Sequence, residues 1–492
     1  MRVAVVGAGL GGLSAACHLA GRGYEVVVVE RESVPGGRAG LVEDSGYRLD
    51  PGPTVLTMVG LLQDTFRAAG AELSDHLRLR PVDPMYRACF PDGSVLHVRH
   101  GRDAMAAEID AFAGREEAVA FHRFCAWLRE LYELELPHFI GRNYDSPLDL
   151  VRDPAALFRL VRLGALRKLA PTVESYFSDP RLQRIFSFQA MYAGLSPFEA
   201  LAIYCVITYM DTVEGVYFPD GGIHEVGRAL TQAAEKAGAS FRFGQPVERI
   251  TRHADGSVRG VRLAVGEHID ADAVVCNVDL PVAYRRLLGL DPPLVARRGR
   301  YSPSCIVWLA GVRGALPPDA AHHNIHFGTA WREAFDALLR DGRRMPDPSI
   351  LVTCPTTSDP SLAPADGTTL FVLEPAPNLD GRVDWATERE HLRAEMADRV
   401  GALGYPVDDV VVERLTDPSD WETLGHERGT PFALAHKFFQ SGPFRPANVD
   451  RRLPGLVFAG MGTVPGVGIP MVLISGRLAA DRVDEWAGRR PG

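Results

Sequence analysis

The chain contains 492 residues, which is too long for a single hydrophobic core, so we expect two or three subdomains. Its composition, 46% hydrophobic and 23% charged, is typical of a soluble globular protein. The net charge of −9 argues against nucleic acid as the main partner. The seven cysteines form no C-x-x-C pair, which disfavours a disulfide framework or a zinc site and indicates a reducing compartment.

The sequence carries no targeting signal that we recognise. A predicted strand begins at residue 3, which leaves no room for a signal peptide. The apolar stretch 201–210 is about half the length needed to cross a bilayer. We therefore expect a cytoplasmic protein, which leaves contact with a membrane surface open.

The N-terminus carries a dinucleotide-binding pattern. A β-branched run (3–6) predicts a buried parallel strand, and the glycines of G-x-G-x-x-G (7–12) lead into a predicted helix over 13–22. A second predicted strand (24–29) ends at Glu30. Glycines let the backbone approach a pyrophosphate at the helix N-terminus, and the carboxylate can accept from a ribose 2′-OH. The order of these elements disfavours a glycine-rich turn without a ligand.

Two further Gly-rich segments follow, at 33–40 and 46–54. Gly36 and Gly37 permit a second close approach of the backbone, and Arg38 can face a phosphate. The dense Gly/Pro content of the second segment suits backbone pressed against a flat ring. A hairpin turn explains that second segment equally well.

Helical periodicity dominates from 61 to 213, with helices predicted over 118–136 and 155–169 and strands within 79–98. The helix 155–169 mixes arginines with leucines, and such a helix can lie in a membrane interface. Steps of 100° do not separate its charges cleanly from its leucines, so membrane contact and burial in the domain stay equal alternatives.

The chain is predicted to return to its first domain at 215–222 and to leave it again near 304. The predicted elements after this return are a helix over 223–237 and strands over 240–243, 247–250, 258–263 and 273–276.

The region that follows, up to 446, contains three neighbouring histidines, His322, His323 and His326. No carboxylate or further histidine stands at ligand spacing, so we predict no metal site. Ser475 is not in a G-x-S-x-G elbow, and nothing indicates a nucleophilic triad.

The C-terminal stretch has the same order of predicted elements as the N-terminus: a strand, a glycine-rich loop and a helix. A buried strand predicted at 455–459 is followed by a glycine-rich loop (460–468) and a helix over about 471–486, with Pro470 in its first turn. A helix N-terminus behind a glycine loop is a second anion site. It can face the N1–O2 edge of a flavin and stabilise the negative charge gained on reduction.

Together these pieces resemble the bacterial phytoene desaturase family of carotenoid biosynthesis. The matching segments run along nearly the whole chain and are 5–13, 35–39, 50–54, 186–189, 215–222, 361–364, 440–446 and 465–477. Many flavoproteins share the N-terminal glycines, whereas the middle and C-terminal segments are more specific. One residue departs from the pattern: Val464 stands where many relatives have His before Pro-Gly, so the motif supplies no imidazole next to the flavin.

The resemblance implies an α/β fold, with a Rossmann-type FAD-binding domain of the glutathione-reductase kind, an inserted α+β substrate domain and a helical membrane-facing part. The implied boundaries are 1–70, 215–300 and 447–492 for the discontinuous FAD-binding domain, and 71–214 and 301–446 for the substrate-binding and membrane-facing domain. The predicted FAD contacts are Gly7, Ala8, Gly9, Gly11, Gly12, Glu30, Arg31, Gly37, Arg38, Pro53, Thr54, Val247, Gly460, Gly462, Gly468, Ile469 and Pro470.

The implied activity is removal of hydrogen from a long isoprenoid, with phytoene converted towards lycopene by hydride transfer to the flavin N5. Peripheral attachment to the inner face of the cell membrane is implied with it, and the electron acceptor is oxygen or a membrane quinone. No catalytic residue is predicted. Asp211 and Glu214 could accept the proton, or they could be surface charges or loop caps.

Three alternatives stay open. The substrate could be another polyene, such as a hydroxylated or C30 carotenoid. A flavin amine oxidase is a more distant alternative, and it would need a cage for an ammonium group that sequence cannot reveal. A lipid-escort protein like the GDP dissociation inhibitors would use no FAD, and the complete glycine set with Glu30 and Arg38 argues against it.

Overall fold

The computed structural model describes residues 1–488. The strands are β1 (Arg2–Val6), β2 (Glu25–Val29), β3 (Val42–Asp44), β4 (Tyr47–Leu49), β5 (Leu79–Pro81), β6 (Tyr86–Cys89), β7 (Val95–Val98), β8 (Tyr217–Pro219), β9 (Ser240–Arg242), β10 (Val247–Arg252), β11 (Val258–Leu263), β12 (His268–Asp270), β13 (Ala273–Cys276), β14 (Ser304–Arg313), β15 (His323–His326), β16 (Ile350–Thr353), β17 (Gly367–Ala376), β18 (Asp409–Thr416) and β19 (Leu456–Phe458). The helices are α1 (Leu10–Gly21), α2 (Val59–Ala68), α3 (Arg102–Ala113), α4 (Arg115–Glu135), α5 (Pro154–Arg162), α6 (Leu169–Glu174), α7 (Pro180–Ile185), α8 (Val206–Thr208), α9 (His224–Lys236), α10 (Leu280–Val282), α11 (Leu294–Arg298), α12 (Arg332–Asp336), α13 (Trp385–Ala402), α14 (Pro418–Thr423) and α15 (Ile469–Ala487).

A five-stranded sheet in the order β19-β13-β1-β2-β9 contains the first strand at its centre. Every pairing in it is parallel. β1 and β2 are buried over four of their five residues, as expected for valine-rich strands covered on both faces. Because the strands are parallel, the loops after β1, β2, β13 and β19 meet at one edge, where ligands of such sheets bind.

A seven-stranded sheet in the order β18-β14-β17-β16-β15-β6-β7 forms a second layer. β14 and β17 pair antiparallel over ten residues, and β6 pairs in parallel with β15. Alternate residues of β14 pack into two separate apolar clusters, which explains its nearly continuous hydrophobic sequence. A three-stranded antiparallel sheet, β10-β11-β12, follows the β9 edge in sequence.

Helices from the two ends of the chain pack directly against each other. A Cβ atom on Gly476 of α15 would lie 2.5 Å from the Gly11 carbonyl oxygen of α1, so only glycine allows this approach. The Ser14 hydroxyl of α1 also donates to the Leu473 carbonyl, at 2.7 Å. The contact places the N-terminal and C-terminal glycine loops side by side.

Several observed helices differ in their bounds from the predicted ones; α4, for example, begins at Arg115 instead of 118. α1 begins at Leu10 instead of 13, because the last glycines of the motif already have helical geometry. The helix predicted over 155–169 ends at Arg162, since the chain turns at Gly164, whose φ is +76°, before α6 begins. Within residues 1–488, no helix is both long and apolar enough to span a bilayer. The predicted domain boundaries stay a prediction.

Candidate active site

One cavity of about 1360 Å³ lies between the parallel sheet and the seven-stranded sheet. Its lining contains all of the predicted FAD contacts except Ala8 and Gly12. Ala8 is fully buried behind the loop, and Gly12 packs inside the β1–α1 turn. Segments that are hundreds of residues apart in sequence therefore share one wall.

The N-terminal glycine loop has no room for side chains at most of its glycine positions. Gly7 adopts φ +97°, which favours glycine. A Cβ atom on Gly12 would lie 2.1 Å from the Gly7 carbonyl oxygen, and one on Gly9 would lie 2.8 Å from Asn277 Nδ2. Gly12 is thus required by packing, as its place in the motif predicts. The N-terminus of α1 points its free N–H groups towards the cavity, because Gly9 is its N-cap.

Asn277 was not predicted as a site residue. It follows β13, the neighbour of β1, and its side chain lies against Gly9, Gly11 and Gly460. It also lines the cavity. The signal that could have identified it is its position directly after a buried strand, at the edge where parallel strands end.

Glu30 closes β2 and is buried. One carboxylate oxygen accepts from the Ala8 N–H at 2.6 Å, and the other accepts from the Glu32 N–H at 2.9 Å. The side chain therefore holds the glycine loop in place as well as facing the cavity. Its contact with a ribose stays a prediction.

The second glycine segment rests on the first. Gly36 donates its N–H to the Ala8 carbonyl at 2.9 Å, and a Cβ atom on Gly37 would lie 3.1 Å from Gly9 Cα. Arg38 then reaches across the cavity, where its guanidinium donates to the Pro431 carbonyl at 2.9 Å. Burial lowers the pKa of Arg38, and the nearby Asp279 opposes that shift.

Arg31 stays at the rim, where its guanidinium pairs with the Glu32 carboxylate at 2.9 Å. Pro53, Thr54 and Val247 also line the cavity. The Thr54 carbonyl lies 3.1 Å from His323 Nε2, which ties this loop to the seven-stranded sheet.

The C-terminal loop continues the wall beside the N-terminal glycine loop, since a Cβ atom on Gly11 would lie 3.2 Å from Gly460 Cα. Gly460 takes φ +97° and Gly468 takes φ +114°, and Gly468 is the N-cap of α15 with Pro470 in the first turn. A Cβ atom on Gly466 would lie 2.2 Å from His436 Cε1. Nothing in the sequence pattern indicated this imidazole. The residue is half-buried, and its ring is neutral because burial first and then Arg445 lower its pKa well below the usual value.

The rest of the cavity is mainly apolar. Representative lining side chains are Leu150, Leu160, Ile207, Phe327, Leu351 and Phe444. Two buried carboxyl groups interrupt this surface. Burial raises the pKa of Glu135 well above its usual range, and it raises the pKa of Asp211 to about 7. A long apolar molecule would meet few polar groups here.

These features fit FAD. Two helix N-termini behind glycine loops face one cavity, and several of its glycines leave space that a Cβ atom would fill. Glu30 closes the strand where a ribose is expected, and Arg38 supplies a half-buried positive charge. The polar half and the apolar half of the cavity are continuous.

Known proteins share this architecture and sequence. The protein-family model of the flavin containing amine oxidoreductases matches residues 10–484. A phytoene dehydrogenase of Streptomyces griseus is 49% identical over 98% of this chain and 94% of its own length. A zeta-carotene-forming phytoene desaturase of Myxococcus xanthus is 39% identical over 99% and 94%. The solved structure of cyclohexylamine oxidase from Brevibacterium oxydans superposes with a TM-score of 0.59 at 18% identity, covering 99% of both chains, which shows a shared fold.

Proposed function

We propose that this chain, which belongs to the flavin-containing amine oxidoreductase family and within it to the phytoene desaturases, is an FAD-dependent enzyme that desaturates phytoene in the direction of lycopene. The observation that carries the proposal is one cavity of about 1360 Å³, which joins the dinucleotide site to a mainly apolar space. An amine substrate would gain nothing from an apolar space of this size, whereas a long hydrocarbon needs such a space to be buried.

FAD, when bound, supplies the redox chemistry by accepting a hydride from a C–H bond. The chain's residues then have three tasks. The glycine loops and Glu30 hold the dinucleotide, the apolar side chains align the polyene along the cavity, and the buried walls exclude water from the reacting carbons. The FAD contacts proposed here are those predicted from sequence, with Asn277 added because it lies between both glycine loops.

The substrate domain is proposed to comprise the seven-stranded sheet with the helices between β7 and β8, since these elements supply the apolar half of the cavity. Its outer surface carries a patch of exposed apolar side chains. We call this the apolar patch, and its members are Leu148, Val151, Phe158, Val161, Phe438 and Phe439.

The apolar patch lies next to residues that line the cavity. Phe158 is 67% exposed on the outer face of α5, whereas Leu157 and Leu160 of the same helix line the cavity. Phe439 is 72% exposed, and its neighbour Phe438 also contributes to the lining. Arg159 and Arg162 lie between the exposed apolar residues, as in helices that lie in a membrane interface. We propose that the protein enters a membrane surface here and that substrate moves from the bilayer into the cavity.

The direct test is incubation of purified protein with FAD and phytoene in liposomes, followed by chromatography of the carotenoids. We expect products with additional conjugated double bonds that require both FAD and protein. Unchanged phytoene, with conversion of a hydroxylated or C30 carotenoid instead, would assign a different polyene substrate. Purified protein without a flavin spectrum, and without FAD binding, would favour the lipid-escort alternative.

A further inference from the structure

Asp211 lies in the wall of the cavity and is only 2% exposed. It belongs to a short π-helical turn (Tyr209–Val213), a local geometry that is frequent at functional sites. Its neighbours in the cavity lining are Tyr86 and Tyr192. A carboxyl group at this depth has to be neutral or supported by hydrogen bonds.

Two hydroxyl groups supply that support. The Tyr86 hydroxyl donates to Asp211 Oδ2 at 3.0 Å, and the Thr212 hydroxyl donates to Asp211 Oδ1 at 2.8 Å. Both bonds stabilise the charged form, whereas burial opposes it more strongly. The two effects leave a carboxyl group that can exist in either protonation state near neutral pH.

Two other carboxyl groups of this region, those of Glu135 and Glu214, lack either hydrogen-bond donors or access to the cavity. Glu135 lines the same cavity, but its Oε1 has no hydrogen-bond partner within the described chain, and burial alone acts on it, which keeps it protonated. Glu214 is hydrogen-bonded to Tyr132 on α4 and is not part of the cavity lining. Glu30 and Asp279 also line the cavity and accept backbone N–H bonds, but they lie in its dinucleotide half, beside the glycine loop and Arg38. Within residues 1–488, Asp211 is thus the carboxyl group of the apolar half that has donors for a negative charge.

A chain of contacts runs from Asp211 through Tyr86 and His323 to Thr54, one of the predicted FAD contacts. The Tyr86 ring lies 5.8 Å from the His323 ring, centroid to centroid. His323 Nε2 lies 3.1 Å from the Thr54 carbonyl, in the loop that also contributes Pro53 to the cavity. The titratable groups facing Asp211 are the phenols of Tyr86 and Tyr192, while Tyr132 on the packed helix α4 is engaged by Glu214.

We propose that the Asp211 carboxylate is the base that removes the proton during desaturation. This rests on the proposed function. One of two adjacent saturated carbons loses a hydride, with both electrons of its C–H bond, to the bound FAD. The other carbon loses a proton to an Asp211 oxygen, and the electrons of that C–H bond become the second bond between the carbons. The carbon chain is oxidised by two electrons, FAD is reduced by two, and Asp211 later releases its proton to solvent.

The test compares FAD-loaded wild type, Asp211→Asn and the matched control Glu214→Gln. Each is mixed anaerobically with phytoene liposomes, and loss of flavin absorbance is followed across pH. We expect the wild-type rate to rise with pH through about 7, Glu214→Gln to match it, and Asp211→Asn to be at least about 100-fold slower with no such rise. Tyr86→Phe removes a donor to the carboxylate, so its pH profile should shift to higher pH.

A second readout needs no substrate. The folded-state pKa of Asp211 is raised above its usual 3.8 to about 7, so its contribution to stability is fully present below about pH 3.8 and is lost as the pH rises to about 7. The melting temperature of Asp211→Asn minus that of wild type should therefore increase from about pH 4 to about pH 7 and then level off, and Glu214→Gln should show a smaller change.

Several results would overturn the proposal. One is an Asp211→Asn rate within about threefold of wild type at every pH. Another is a raised KM with unchanged kcat, which would make Asp211 a binding group for a substrate hydroxyl or ammonium. Wild-type protein that is not bleached by phytoene would overturn the proposed function, and the proposal with it. The melting temperatures would then still report whether Asp211 titrates as described.

Discussion

The two halves of the cavity are built in different ways. The dinucleotide half is made of backbone: two glycine loops in contact, a carboxylate that bonds the loop N–H groups, and two helix N-termini. The substrate half is made of side chains from many separate elements, and its polar groups are few and buried. The dinucleotide half is determined by local sequence, and Cβ atoms added at several of its loop glycines would collide with neighbouring atoms. The second half is fixed by tertiary packing and can vary with the substrate.

Among substitutions in the dinucleotide half, Gly9→Val should reduce FAD affinity the most. The new side chain would collide with Asn277 and occupy the space intended for a pyrophosphate, so we expect FAD affinity to fall by at least about 100-fold. Titration of apoprotein with FAD, followed by flavin fluorescence, measures this. Gly60→Val is the matched control, because no heavy atom lies within 4 Å of a Cβ atom at Gly60. Unchanged affinity in Gly9→Val would show that the loop does not hold the cofactor.

Glu30→Ala should have the second-largest effect on FAD binding. Glu30→Ala leaves two loop N–H groups without their acceptor and removes the proposed ribose contact, which should cost about 1–3 kcal/mol of FAD binding. That corresponds to about 5- to 150-fold in Kd. Glu30→Gln keeps one acceptor and should fall between Glu30→Ala and wild type. Equal affinities of all three proteins would remove Glu30 from the site.

The sequence predicted the dinucleotide half well because its signals are local. Strand, glycine turn, helix and acid follow one another within the first thirty residues, and each has its own physical requirement. Asn277 and His436 could not be predicted in this way, since each meets its glycine partner only through the folded sheet. That Arg38 faces a phosphate stays a prediction, and the bond from its guanidinium to a carbonyl 393 residues away is a further contact that local sequence does not indicate. The single helix predicted over 155–169 was wrong, because periodicity does not reveal the turn at Gly164.

Substitutions in the apolar patch test the substrate half of the cavity. Replacing Phe158 and Phe439 with Ser removes two exposed rings and should weaken sedimentation with liposomes by about tenfold or more. Reversing the charges of Arg159 and Arg162 should weaken binding only to anionic liposomes, and this loss should shrink at high salt. Lys168 is a poor probe, because its ammonium donates to the Glu199 carbonyl.

Ser substitution of Val119 and Val265 is the control for that experiment, since both residues are exposed and lie outside the apolar patch. If the control protein and the patch variant sediment equally, the membrane contact lies elsewhere on the surface. Loss of binding in the patch variant with retained FAD affinity would separate the two halves of the cavity experimentally.

The smallest expected effect concerns the N-terminus of α15. Gly468→Asp and Gly468→Asn impose the same strain at φ +114°, so their difference isolates the charge. The Asp variant should have the lower flavin reduction potential, by roughly 10–40 mV, because a charge at a helix terminus is worth about 0.3–2 kcal/mol. Gly488→Asp, at the other end of the same helix, should leave the potential unchanged. Equal potentials for all three variants would show that this terminus does not face the flavin.

The central claim is that one continuous cavity brings a polyene to FAD. Its most direct test is anaerobic mixing of the FAD-loaded wild-type protein with liposomes containing phytoene, with plain liposomes, and with cyclohexylamine. We predict that only phytoene bleaches the flavin and that the bleached sample contains a carotenoid with a new double bond. Flavin that is bleached by the amine and not by phytoene would contradict this account.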